Sequence, residues 1–114
     1  MNQKLYQSLE DIDPVVTAHG QGEKFVFLMQ QDTQTALTQF AYGKLIPGEG
    51  VETHLHSSME ECFYFINGEG EYIINGTAYN IRPDTFVRIP ANTSHALKAN
   101  GTSTLIFVYF GIAI

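Results

Sequence analysis

The chain has 114 residues, 44% hydrophobic and 16% charged, which predicts one folded domain around one core and excludes a disordered segment. A net charge of −6, with six Lys and Arg residues scattered singly, excludes a phosphate backbone as partner, since no basic patch exists to neutralise one. The single cysteine, Cys62, excludes an intrachain disulfide. Together with the lack of a signal-like N-terminus and of an apolar run near the roughly 18 residues of a membrane helix, it predicts a cytoplasmic protein.

In chain order, the first element is a short N-terminal segment. In "QKLYQSLEDI", Leu5, Leu9 and Ile12 recur at helical spacing before Pro14. That pattern predicts a short helix or an extended arm within residues 1–20. Everything after it reads as β. "KFVFLMQ" is rich in strand formers, and "TALTQFAYGKLI" alternates up to the turn signal "PGEG". "ECFYFI" ends at "NGEG", "EYII" at "NG", and "TAYNI" at "RPD". "FVRI" runs into "PANTS", "HALKA" ends at "NG", and "TSTLIFVYFGIAI" closes the chain. Asn75-Gly76 predicts a two-residue hairpin turn with positive φ at both positions. About eight short strands with almost no helix predict an all-β sandwich or small barrel.

The stretch "HLHSSMEECFYF" concentrates the chemistry. On a strand His54 and His56 share one face, about 7 Å apart at roughly 3.3 Å of rise per residue. The loop "SSME" brings Glu61 back beside them. Alternation then turns Glu61, Phe63 and Phe65 inward and Cys62, Tyr64 and Ile66 outward. A third histidine, His95, follows "PANTS" at the head of another strand. Three imidazoles and a carboxylate suit zinc, iron, manganese, nickel or copper, and leave a divalent ion with net positive charge and open positions.

At this point the chain resembles a small member of the cupin superfamily. The first cupin motif, G-x5-H-x-H-x4-E-x6-G, is matched by Gly48, His54, His56, Glu61 and Gly68. The second, G-x5-P-x-G-x2-H-x3-N, is matched at Pro90 and His95. Asp84 and Asn92 replace its glycines, and Asn100 falls one residue late. Asn92 tolerates the left-handed backbone that glycine would adopt there. The resemblance spans roughly residues 40–110. It implies a double-stranded β-helix barrel, jelly-roll-like and often a homodimer, with a divalent metal on His54, His56, Glu61 and His95. It further implies a small-molecule ligand or substrate. Two functions fit: an enzyme (isomerase, lyase or dioxygenase type) acting on a sugar-like compound, ketone or hydroxy acid, or a metal-dependent binding or sensor protein without turnover.

The remaining polar residues carry weaker expectations. His19 reads as a surface or turn histidine, and Glu60 as a solvated neighbour of Glu61. Glu52 shares parity with His54 and can reach the pocket mouth as a proton acceptor. Arg88, if inward, can clamp a substrate carboxylate through its planar fork. Cys62 reads as a core thiol rather than a nucleophile.

Overall fold

A computed structural model describes residues 4–17 and 19–114. Its strands are β1 (Val15–Val16), β2 (Glu23–Met29), β3 (Leu37–Leu45), β4 (Gly50–His54) and β5 (Met59–Asn67). They continue with β6 (Gly70–Ile74), β7 (Thr77–Ile81), β8 (Thr85–Ile89), β9 (His95–Lys98) and β10 (Leu105–Ala113). Every pairing is antiparallel. One sheet has the order β1-β2-β3-β10-β5-β8 and the other β4-β9-β6-β7. The all-β barrel expected from the sequence is therefore present, with ten strands among the described residues where about eight were expected.

Of the two N-terminal alternatives, a short helix or an extended arm, the structure has the arm. Gln3 lies outside the described residues, and from Lys4 onward the only helical feature of this segment is a 3-10 turn over Leu9–Asp11. Leu5 and Tyr6 are 87% and 89% exposed. A helix this short needs a continuous apolar face packed against the core to persist, and here Leu5 is exposed while Leu9 and Ile12 are only half-buried.

The core fills the gap between the sheets. Strand alternation on β5 buries Phe63 and Phe65 and exposes Tyr64 and Ile66, while β8 buries Val87 and Ile89 and exposes Phe86 and Arg88. Phe65 meets Phe107 at 5.2 Å between ring centroids, and Phe63 stacks on Tyr109 at 5.3 Å. Tyr72, Leu97 and Ile81 face them from the smaller sheet. These large rings supply much of the hydrophobic stabilisation, at about 25 cal/mol per Å² of apolar surface removed from water.

The turns follow their sequence signals. Asn75 (φ 49°) and Gly76 (φ 82°) form the two-residue connection between β6 and β7, as the Asn-Gly pair predicts. Asn92 adopts φ 61° and Asp84 φ 70°, so both residues that replace the motif's glycines hold left-handed backbone themselves. No helix of the described residues is long and apolar enough to cross a membrane.

Phe65 is fully buried at the centre of the ring cluster. Truncation to Phe65→Ala is expected to lower unfolding stability by about 3–5 kcal/mol, read from urea melts, because the rigid rings around it cannot collapse into the space.

Candidate metal centre

The site forms where three segments converge. β4 pairs with β9 so that His54 lies directly opposite His95. Because β9 begins at His95, the chain beyond His54 has no strand to pair with, and β4 stops there. His56 therefore sits in a loop, which corrects the expectation that both histidines share one strand face. The turn at Asn92 holds that loop instead: the Asn92 amide donates to the His56 carbonyl at 2.7 Å. Glu61 enters from β5, inward as alternation requires and only 9% exposed.

The rings converge closely. Centroids are 4.2 Å apart for His54–His95, 4.9 Å for His54–His56 and 5.6 Å for His56–His95. Glu61 Oε1 lies 3.4 Å from His56 Nε2 and 3.8 Å from His95 Nε2. One donor atom from each of the four residues lies within 4.8 Å of all the others. Around one transition-metal ion, with bonds of about 2.1 Å, donors stand roughly 3–4 Å apart, so closing this set onto a cation takes only small side-chain shifts.

Two hydrogen bonds decide which nitrogens face inward. His54 Nδ1 lies 2.7 Å from the Glu52 carbonyl, and His95 Nδ1 lies 2.7 Å from the Thr93 carbonyl. A carbonyl only accepts, so each Nδ1 carries the proton and each Nε2 keeps its lone pair for the site. His95 Nε2 is buried with no hydrogen-bond partner. Such an atom costs about 1–3 kcal/mol unless something occupies the position it faces.

The electrostatics point the same way. Burial pushes the Glu61 carboxyl up to about 7, against the opposing pull of the Lys24 charge. Burial, then the neighbouring imidazoles, lower His56, and they lower His95 against the raising effect of the Thr93 hydrogen bond. The pocket alone thus favours neutral rings and a protonated acid, and a bound cation would reverse the bias on Glu61.

The other expected residues are placed as follows. His19 lies in an exposed turn, as expected, but its ring also reaches His54 at 4.5 Å between centroids. The Glu52 side chain is exposed, and it is the backbone carbonyl of this residue that serves the site. Arg88 points outward and makes a bidentate pair with Glu60, at 3.0 Å for each bond, so it clamps no substrate and Glu60 is not merely solvated. The reason is register: Arg88 pairs with Cys62 across β8 and β5, and Glu60 is its diagonal neighbour on that outer face. Cys62 is part-buried on the same face rather than in the core, and burial raises its thiol pKa.

A cavity of about 190 Å³ opens beside the four residues. Phe63, Tyr72, Phe107 and Tyr109 line it, as do Lys24 and Gln39, which the sequence reading missed. A lysine on an inward strand position of "EKFVFLM" was the available signal.

Without a metal, Glu61 binds its proton more tightly in the folded than in the unfolded chain. Its favourable contribution is complete below about pH 4.5 and is lost as pH rises through about 7, a change on the order of 3 kcal/mol. The lowered histidines act oppositely and cost stability on the acid side of their usual range. For chelator-treated protein, thermal melts are expected to show wild type losing Tm relative to Glu61→Gln as pH rises from 5 to 8, the histidine contribution being common to both.

Comparison with known proteins gives this geometry a family. The chain is 33% identical over 69 residues to a 5-nitrosalicylic acid 1,2-dioxygenase from a Bradyrhizobium species, covering 60% of this chain and 33% of that protein. The chain thus spans about a third of that relative's length. It is 28% identical over 89 residues to an oxalate-binding protein of Thermotoga maritima, covering 78% of this chain and 74% of the other. The crystal structure of a predicted oxalate decarboxylase from Thermotoga maritima superposes with a TM-score of 0.90 at 24% identity, over 96% of this chain and 100% of that one, a likeness of fold. The cupin domain family model matches residues 41–111, and the chain belongs to that family.

Proposed function

We propose that this chain binds one divalent transition-metal ion through His54, His56, Glu61 and His95, and uses that centre to act on a small oxygen-bearing substrate. The observation that carries the reading is His95 Nε2, buried, bearing the lone pair of a neutral ring whose Nδ1–H is committed to the Thr93 carbonyl, and facing no protein partner. A metal-free barrel held by His–Glu hydrogen bonds would satisfy that atom instead of stranding it.

The ion, when bound, supplies Lewis-acid or redox chemistry. The protein's own groups do the rest. His54 and His95 present their lone pairs in fixed orientation, which lowers the cost of ordering the site. Tyr109, pushed up to about 12 by burial, and Tyr72, raised well above the usual tyrosine value, remain neutral hydroxyls that can donate to a substrate oxygen. Phe63, Phe107 and Leu97 exclude water from the cavity wall. A volume of about 190 Å³ suits a molecule smaller than the drug-sized ligands of typical 300–1,000 Å³ pockets.

Two relatives bear on the chemistry: one is named for dioxygenation of a nitrosalicylic acid, the other for binding oxalate. The first favours turnover. The second, matched over most of both chains, keeps a metal-dependent binding protein as the alternative. Exposed Tyr64, Ile66 and Phe86 on the outer face of β5 and β8 support pairing as a homodimer, and the free thiol of Cys62 is compatible with a reducing cytoplasm.

Elemental analysis of protein purified without chelators is expected to give about one transition-metal equivalent per chain, falling well below one in His95→Ala and His56→Ala. Wild-type protein holding no metal would refute the proposal. Incubating metal-loaded protein with oxalate, hydroxy acids and hydroxybenzoates, with and without O₂, separates the two functions: product formed marks an enzyme, and saturable binding without product marks the binding protein.

A further inference from the structure

The cavity holds a cation that the metal reading does not use. Lys24 lies on β2, opposite Gly43 in the register of β2 and β3. A side chain at Gly43 would collide with the Phe107 ring, with Cβ only 2.5 Å from Phe107 Cε2, so this position faces the interior and glycine leaves it open. Lys24, paired with Gly43, therefore projects toward the cavity that both residues line. Its charge acts on Glu61, yet the two form no ion pair within 4.0 Å.

The ammonium is aimed by a short relay. Lys24 Nζ donates to Gln39 Oε1 at 2.8 Å. That leaves the Gln39 amide nitrogen free to point to the other side of the cavity, which Tyr109 also lines. An ammonium has three donors, and among the described residues Gln39 is the only hydrogen-bond acceptor recorded for it. Two N–H groups remain for whatever enters. The other cations are engaged elsewhere or exposed. Lys44 also borders the cavity, but it alternates to the other face of β3 and lies over the Phe25 ring, 6.0 Å from its centroid. Arg88 is paired with Glu60 outside.

We propose that Lys24, held by Gln39, is the specificity-determining residue of the cavity, selecting a substrate that carries a carboxylate. This rests on the metal reading, because the substrate's other oxygen function then faces the imidazole cluster. A small hydroxy or keto acid, or a two-carbon dicarboxylate, has both functions within the length the cavity allows. A neutral sugar or ketone leaves two ammonium donors in a part-buried site without an acceptor, and is disfavoured for that reason.

The test compares acids with their uncharged amides on the metal-loaded protein. Isothermal titration of lactate against lactamide, and of oxalate against oxamide, is run for wild type, Lys24→Met, Lys24→Arg and Gln39→Leu, with metal content measured before and after. The expected result is that wild type prefers each acid to its amide. Lys24→Met should lose roughly ten- to a hundred-fold in acid affinity while its metal content and amide affinity hold, and Lys24→Arg should restore most of the preference. Gln39→Leu, which leaves the charge but removes its anchor, should lose a smaller part. Metal-loaded Lys24→Met that keeps the acid preference overturns the inference, as does wild-type protein that binds acid and amide alike. If Lys24→Met does not fold, Lys24→Gln serves in its place, and metal-loaded Lys24→Gln that keeps the full acid preference overturns it. Wild type that retains no metal sinks the functional reading itself, and this inference with it.

Discussion

The structure depends on one register. Pairing β4 with β9 sets His54 against His95, and ending the ladder there frees the chain to swing His56 round from a loop. Both paired histidines then hang from the carbonyl two residues before them, Glu52 for one and Thr93 for the other. One carbonyl lies beside the register shift of β4 and the other in the turn ahead of β9, and each orients the imidazole that follows it. Slipping the register by one residue would turn the His95 ring to the opposite face and break the convergence.

Around that register the protein keeps a sharp division of labour between its two faces. Inward positions of β3, β5 and β10 carry Ala41, Gly43, Phe63, Phe65, Phe107 and Tyr109, alternating small residues with large rings so that a cavity survives beside the core. The outward positions of β5 and β8 hold the Arg88–Glu60 pair, Tyr64 and Phe86. The exposed ion pair adds little to stability, as surface pairs generally do. The interior polar groups matter more because each is desolvated, and a desolvated donor without an acceptor is costly.

Much of this was legible in the chain. The spacing of the cupin motif singled out Glu61 rather than Glu60, and alternation on β5 agrees with it, since only one of two adjacent strand residues faces inward and Glu61 is the buried one. Asn75-Gly76 specified its turn because few residues other than glycine and asparagine accept two consecutive left-handed positions. What failed did so for physical reasons. Leu5, Leu9 and Ile12 have helical spacing, but Leu5 is exposed and the other two are only half-buried, and periodicity carries no information about how much partner surface exists. The orientation of Arg88 could not be carried across the turn at "PANTS", and only pairing with β5 fixed it. An inward lysine in "EKFVFLM" hinted at Lys24, but its place in the cavity depends on Gln39 and Gly43, which are remote in sequence.

The hairpin tip joining β6 and β7 has a role beyond reversing the chain. Asn75 donates its amide to the Ser94 carbonyl at 2.8 Å, and its side-chain oxygen accepts from the Ser94 amide at 3.2 Å. Ser94 immediately precedes His95, so a surface turn acts as a buckle on the segment that carries the most deeply sunk imidazole. Rigidity at the centre is thus drawn from a residue at the periphery, and drift in that loop's sequence would alter the site without touching any group that lines it.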